Sequence, residues 1–250
     1  MSPRNKIVVY TAIVNNYNPL RNPAHIDPEI DYVCFTDQPK WFALTNNTIW
    51  KGRPFPKSNL DPTRANRQVK LLPHRFFPEY DYSIYVDGSI RIIGDIRALL
   101  EKYAYPSMLS FNHPLRSCIY EEGQVCIEMR KEDPQVITRQ LDMYRSEGFP
   151  ENFGLIEGGV LIRRHNDPTI IKLMEEWWHE LLTQSRRDQL SFPYVAWRSG
   201  FWPVTMGKES VWGASETFKL ETTRHGSKSM TLMERLRVLA DVFFLWRFKR

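Results

Sequence analysis

The tripeptide Asp87-Gly88-Ser89 interrupts a run of β-branched and aromatic residues, with Ile84-Tyr85-Val86 before it and Ile90, Ile92 and Ile93 after it. Such a run reads as a buried strand broken by a tight turn, so a carboxylate stands at a strand end. In apolar surroundings a lone carboxylate is costly unless it is paired, and a cation is a common partner. Gly88 leaves the backbone open to the approach of a bulky ligand. The competing reading is a β-turn with Asp87 in its first position.

Three further groups carry chemically useful side chains. Arg64, Arg67 and Lys70 recur at a spacing of three in a helical stretch whose apolar stripe is Ala65, Val69, Leu72 and Phe76, so they form a basic edge. That edge is either an anion-binding row or a solvated cationic face. His113, Arg116, Glu121 and Glu122 fall close together in a stretch read as a loop, where they make an acceptor-binding edge or ordinary surface polarity. Glu157-Gly158-Gly159 immediately precedes the apolar Val160 to Arg163, so the paired glycines make a bulge or leave room for a ligand.

The elements that must hold these groups alternate strand and helix. Lys6 to Val14 and Asp31 to Thr36 read as strands ending in polar residues, Asn15-Asn16 and Asp37, and a short strand is expected near Thr48 to Trp50. Asp-Pro pairs at 61–62, 133–134 and 167–168 announce helices, because Asp caps free amides and Pro suits the first turn. The first helix is expected to reach about Phe76, the second to stop at Gly148, and the third to bury Trp177-Trp178 in its broad apolar face. A short helix capped at Gly94-Asp95, a strand at Met108 to Phe111 and a segment starting at Arg187-Asp188-Gln189 complete the pattern. From Thr231 the chain reads as a basic amphipathic helix, which lies on an anionic membrane surface or closes over the sheet.

With 34 Lys and Arg against 29 Asp and Glu, the chain suits an anionic partner. Cys34, Cys118 and Cys126 lack CxxC or zinc spacing and read as reduced cytosolic thiols. Ile7 to Val14 follows Arg4 and Lys6 but lacks a small-residue cleavage site, so it reads as a strand rather than a leader. P-loop, GxGxxG, HExxH, GxSxG and EF-hand motifs are absent, and nothing organises the basic residues for nucleic acid.

The order of these parts, a strand ending in Asn/Tyr, then RANRQVKLLPHRFFPEYDYSIYVDGSI, LIEGGVLI and RRDQL, resembles the GT-A glycosyltransferase-like domain shared by plant mucilage- and turgor-related proteins and bacterial polysaccharide enzymes. The resemblance implies an α/β fold: a Rossmann-like, mixed but mainly parallel sheet flanked by helices in a single domain over 1–229. Its nucleotide-binding half is about 1–95 and its acceptor and donor-sugar half about 96–229, with the amphipathic helix at 230–250. It implies transfer of a sugar from a UDP- or GDP-sugar to a glycan or lipid-linked glycan in surface polysaccharide synthesis, by a retaining enzyme with an inverting one as the runner-up; the reduced thiols point to the cytoplasm, and the basic tail to the inner face of the membrane.

The donor is then expected on Thr11, Asn15, Tyr17, Asp37, Arg64, Arg67, Lys70, Asp87, Gly88, Ser89, Gly158, Gly159 and Lys228, beyond the strand ends near Val14, Thr36 and Val86. The acceptor falls to His113, Arg116 and Glu121. Asp188 and Gln189 match the acid-amide pair that flanks the sugar in retaining transferases of this layout, and Glu157 is a second catalytic candidate. Mn2+ or Mg2+ is expected on Asp87, Ser89 and His225, although Ser89 departs from the D-x-D pattern at its third position. A non-catalytic carbohydrate- or nucleotide-binding module on the same fold is the alternative.

Overall fold

The computed structural model describes residues 5–14, 20–39, 48–213 and 215–221. Asn15, Tyr17, His225, Lys228 and the basic stretch from Thr231 lie outside the described residues, as does the expected boundary at 229–230.

Three apolar strands make the centre: β1 (Ile7–Ile13), β2 (Ile30–Thr36) and β4 (Tyr82–Val86), buried along nearly their whole length. Near-continuous burial is what a parallel sheet covered on both faces requires. β1 pairs in parallel with both neighbours, Ile7 facing Ile30 on one side and Tyr82 on the other. With β3 (Lys51–Pro54), β6 (Met108–Asn112), β7 (Ile156–Arg163) and β8 (Val204–Thr205), the sheet runs β3-β2-β1-β4-β7-β6-β8. β7 is antiparallel to both β4 and β6, so the sheet is mixed and mainly parallel. β5 (Ile90–Ile92) pairs separately with β9 (Phe218–Leu220).

Alternation along β1 divides the core. Val8, Tyr10 and Ala12 face one apolar cluster, and Ile7, Val9 and Ile13 face the other. The first cluster is covered by α1 (Pro62–Leu71), α3 (Ile119–Glu128), α4 (Pro134–Ser146), α5 (Pro168–Thr183) and α6 (Asp188–Arg198). The second is covered by α2 (Ile96–Lys102) and the chain around Met206 to Phe218. Asp61, Asp95, Asp133 and Asp167 each cap a helix through the carboxylate, as their sequence context indicates. Gly148, at φ 85°, ends α4, and Trp177 and Trp178 are buried.

Three expected elements differ. α1 stops at Leu71 rather than Phe76, because the residue before a proline is driven out of helical geometry; Leu72 takes φ −111° and ψ 48°, and Pro73–Arg75 forms a 3-10 turn. The strand expected at Thr48 to Trp50 begins at Lys51, since the Ile49 and Trp50 backbone N–H groups donate to the Asn22 and Thr48 side chains instead of a ladder. The loop expected around Tyr120 to Glu122 is the helix α3. Gly123 lets it press on α4, where any Cβ would collide with Leu141.

Candidate active site

β4 ends where β7 bulges. Across β6 and β7 the register jumps from Ser110–Leu161 to Phe111–Glu157, which leaves Gly158 and Gly159 outside the ladder. The Ser110 hydroxyl bridges the bulge, reaching Val160 O at 2.9 Å and Glu157 O at 3.3 Å. Asp87 N–H donates to Gly159 O at 2.8 Å, so the end of β4 is tied to the bulge. Beyond them opens a cavity of about 310 Å3, lined by five cationic side chains and four carboxylates. Such a lining suits a charged, hydrogen-bonding ligand.

One end of this cavity is built on Asp188, the first residue of α6 and 3% exposed. Its Oδ2 accepts from Lys70 Nζ at 2.5 Å and lies 3.1 Å from Arg67 Nε, an ion-pair triad in which the buried Lys70 and the partly buried Arg67 of α1 share one carboxylate. Burial would raise the Asp188 pKa, but the Arg67 and Lys70 charges outweigh it and hold the carboxyl well below the usual range. The backbone beneath Lys70 is pinned as well: Tyr10 OH and Arg163 Nη2 both donate to Lys70 O at 2.8 Å. Gly158 makes room for this triad, since a Cβ there would stand 3.1 Å from Lys70 Nζ and 3.5 Å from Asp188 Oδ2.

Asp87 faces the same end. Ile90 N–H donates to Asp87 O at 2.8 Å, so a β-turn is present, yet the carboxylate does not serve it. Oδ1 accepts from Tyr85 OH at 2.7 Å, and Oδ2 lies 3.4 Å from the place a Cβ on Gly159 would occupy. Burial and the Asp87 charge keep the Tyr85 phenol protonated, as a hydrogen-bond donor to that carboxylate. Among the described residues no three His, Cys, Asp or Glu gather to hold a metal. Asp87 and Ser89 both line the cavity, and an ion such as Mg2+ takes few protein ligands, keeping water and substrate phosphates for the rest.

Glu157 also lines the cavity, with both oxygens occupied. Oε1 accepts from the Ser210 hydroxyl and Oε2 from Val211 N–H at 3.3 Å. Burial pushes its carboxyl up to about 7, against those two hydrogen bonds. The clasp holds the stretch that leads to β9 across the cavity, with Trp212 at the rim and 57% exposed.

His113, Arg116, Gly158, Gly159, Ser89 and Gln189 line the cavity with Arg67, Lys70, Asp87, Glu157 and Asp188. Gln189 Nε2 donates to Ile156 O at 3.3 Å, and Gly88 sits in the Asp87 turn. Other expected site residues stand elsewhere. Arg64 turns away to donate to Leu181 O and Gln184 O, closing the carbonyl end of α5. Thr11 is buried inside β1 and Asp37 is exposed beyond β2; neither lines the cavity. Glu121 is exposed on α3, and it is Glu122 that turns inward and accepts from Arg116 Nε at 2.8 Å. Lys131, Arg187, Val211 and Trp212 line the cavity without having been assigned a role from sequence. Arg187 at least adjoins Asp188, whereas Lys131 and the 210–212 stretch carry no local motif.

A model of the TOD1/MUCI70 glycosyltransferase-like domain matches residues 1–212. The chain belongs to that family. Among curated proteins, Arabidopsis thaliana "Probable hexosyltransferase MUCI70" is 26% identical over 214 residues, 76% of this chain and 37% of that protein. Arabidopsis thaliana "Alkaline ceramidase TOD1" is 24% identical over 221 residues, 76% of this chain and 48% of that protein. The chain thus spans less than half the length of either relative. Solved structures similar to this TOD1/MUCI70 chain include mouse xyloside xylosyltransferase 1 (apo form; 11% identity, TM-score 0.46, 83% of this chain and 86% of that one). The apo WbbM bifunctional glycosyltransferase is also similar (13% identity, TM-score 0.47, 80% and 38%).

Proposed function

We propose that this TOD1/MUCI70 domain transfers a hexosyl group from a nucleotide-sugar to a glycan hydroxyl. The observation that carries this reading is the Arg67–Lys70–Asp188 triad opening, with Asp87, into a cavity at the end of β4. Glycosyl transfer breaks the anomeric C–O bond, leaving the electron pair on the diphosphate while the sugar carbon becomes cationic. Positive charge is needed on the phosphate side and a fixed carboxylate near the anomeric carbon. A divalent cation on Asp87, with Ser89 beside it, would neutralise the departing diphosphate. Arg67 and Lys70 orient Asp188, whose carboxylate faces the developing positive charge.

Held so far below the usual carboxylate range, Asp188 is a poor proton acceptor. This supports a front-face course in which the acceptor oxygen forms the new bond and its proton passes to the departing phosphate oxygen, so that configuration is retained. Glu157, engaged at both oxygens, holds the Ser210–Trp212 stretch in place, and the exposed Trp212 indole offers an apolar face to a sugar ring. The three buried free thiols suit a reducing compartment such as the cytoplasm.

The test is turnover of UDP- and GDP-hexoses with glycan acceptors, with and without Mn2+, and the product anomer read by NMR. Retained configuration is expected. Transfer by no donor, together with release of fatty acid from ceramide, would replace this reading with an amidase.

A further inference from the structure

The other end of the cavity is charged differently. There Arg116 spends its charge on Glu122, with Nε 2.8 Å from Oε2. His113 is neutral: burial holds its imidazole down to about 4, and Nδ1 accepts the N–H groups of Leu115 and Arg116. Two further cations, Lys131 and Arg187, line the same space, and neither forms an ion pair with a described carboxylate. Arg187 Nε is buried and has no hydrogen-bond partner.

Both are held by the backbone. Arg130 adopts φ 51° after α3, which lets its own N–H reach Ile127 O and lets Lys131 N–H reach Cys126 O. That is a helix stop glycine normally provides, and a non-glycine residue there costs roughly 1 kcal/mol. Arg187 occupies the N-cap of α6; its guanidinium has no acceptor to offer the first-turn amides, and it lines the cavity beside the Cys126 thiol. The first-turn amides of α6 add positive potential beside it. Desolvation and the neighbouring Arg187 charge together lower the Lys131 pKa, outweighing the opposing effect of the Glu122 carboxylate.

We infer that Lys131 and Arg187 bind an anionic group, carboxylate or phosphate, on the acceptor, so that the domain selects an acidic rather than a neutral glycan. The inference rests on the transferase reading and deepens it. At the Asp188 end Arg67 and Lys70 stand in contact with a carboxylate, whereas Lys131 and Arg187 make no such contact among the described residues, which leaves their charge to a ligand. Carboxylate and phosphate both match a guanidinium in bidentate fashion.

Binding of glucose, glucuronic acid and glucose 6-phosphate, titrated by NMR onto the full chain saturated with UDP or GDP, tests this. Both acids are expected to bind about tenfold or more tighter than glucose, the scale of one charge-assisted hydrogen bond. Whichever acid binds tighter identifies the source of the anion. In Lys131→Gln and in Arg187→Gln, that preference should shrink while the Kd of UDP or GDP stays the same. Equal binding of acids and glucose to wild type overturns the inference and leaves the transferase reading intact. A weakened nucleotide Kd in these variants also overturns it, by assigning this end to the donor. Acid binding by a protein that binds no nucleotide removes the transferase reading and keeps the anion site.

Discussion

The two ends of the cavity are built from the same kinds of side chain and behave oppositely. At the Asp188 end, two cations and a carboxylate are packed together, and Tyr10 and Arg163 fix the Lys70 backbone from below. At the Lys131 end, the cations stand at a helix stop and a helix cap and line the cavity without a described carboxylate in ion-pair contact. The first end is electrically closed and therefore structural as well as chemical. The second is open, so its charges can serve recognition with little consequence for the fold.

The largest effect that would separate them is on stability. Asp188→Asn leaves Lys70 and Arg67 without this counter-charge and should cost about 3–5 kcal/mol, measured by urea unfolding, along with all transfer activity. A loss below about 1 kcal/mol would mean that the triad is not closed. Next comes Asp87→Asn, which keeps the turn and removes charge facing the donor. Turnover should fall about a thousandfold, some 4 kcal/mol of barrier, while the melting temperature holds. Wild-type turnover in a folded Asp87→Asn protein would reduce Asp87 to a turn residue.

The pH dependence gives an intermediate effect. Glu157 is raised from 4.5 to about 7, so between those values the unfolded chain ionises while the folded one keeps its proton. Its contribution is therefore fully present below about pH 4.5 and lost as pH rises to about 7, a decline of about 3 kcal/mol. Glu157→Gln should flatten that decline in urea melts at pH 5 and pH 8; an unchanged slope assigns it elsewhere. The smallest effect belongs to the open end: Arg187→Gln should change stability by no more than about 0.5 kcal/mol. A larger loss would show that end to be closed as well.

Legibility followed the same division. The Asp-Pro helix starts, the apolar strands and the Gly148 stop are local: each depends on a cap, a period or a backbone angle within a few residues, and each stands where its residue types indicate. Asp87 and Gly158-Gly159 were visible because a carboxylate or a glycine pair conflicts with the apolar strand around it. Lys70 was visible as part of a basic row, but the period that grouped it with Arg64 could not say that one reaches Asp188 and the other the end of α5.

Residue types and their local spacing establish the set of elements and the chemistry available at their ends. Which charges cancel is settled by packing alone. A salt bridge between Lys70 and Asp188 joins residues 118 positions apart, and no local pattern encodes a partner at that distance. The same holds for Glu157 and Ser210, for Glu122 in place of Glu121, and for the unpaired Lys131 and Arg187. Charge is carried by residue type; its neutralisation depends on distance and burial, which arise only when the strands and helices pack.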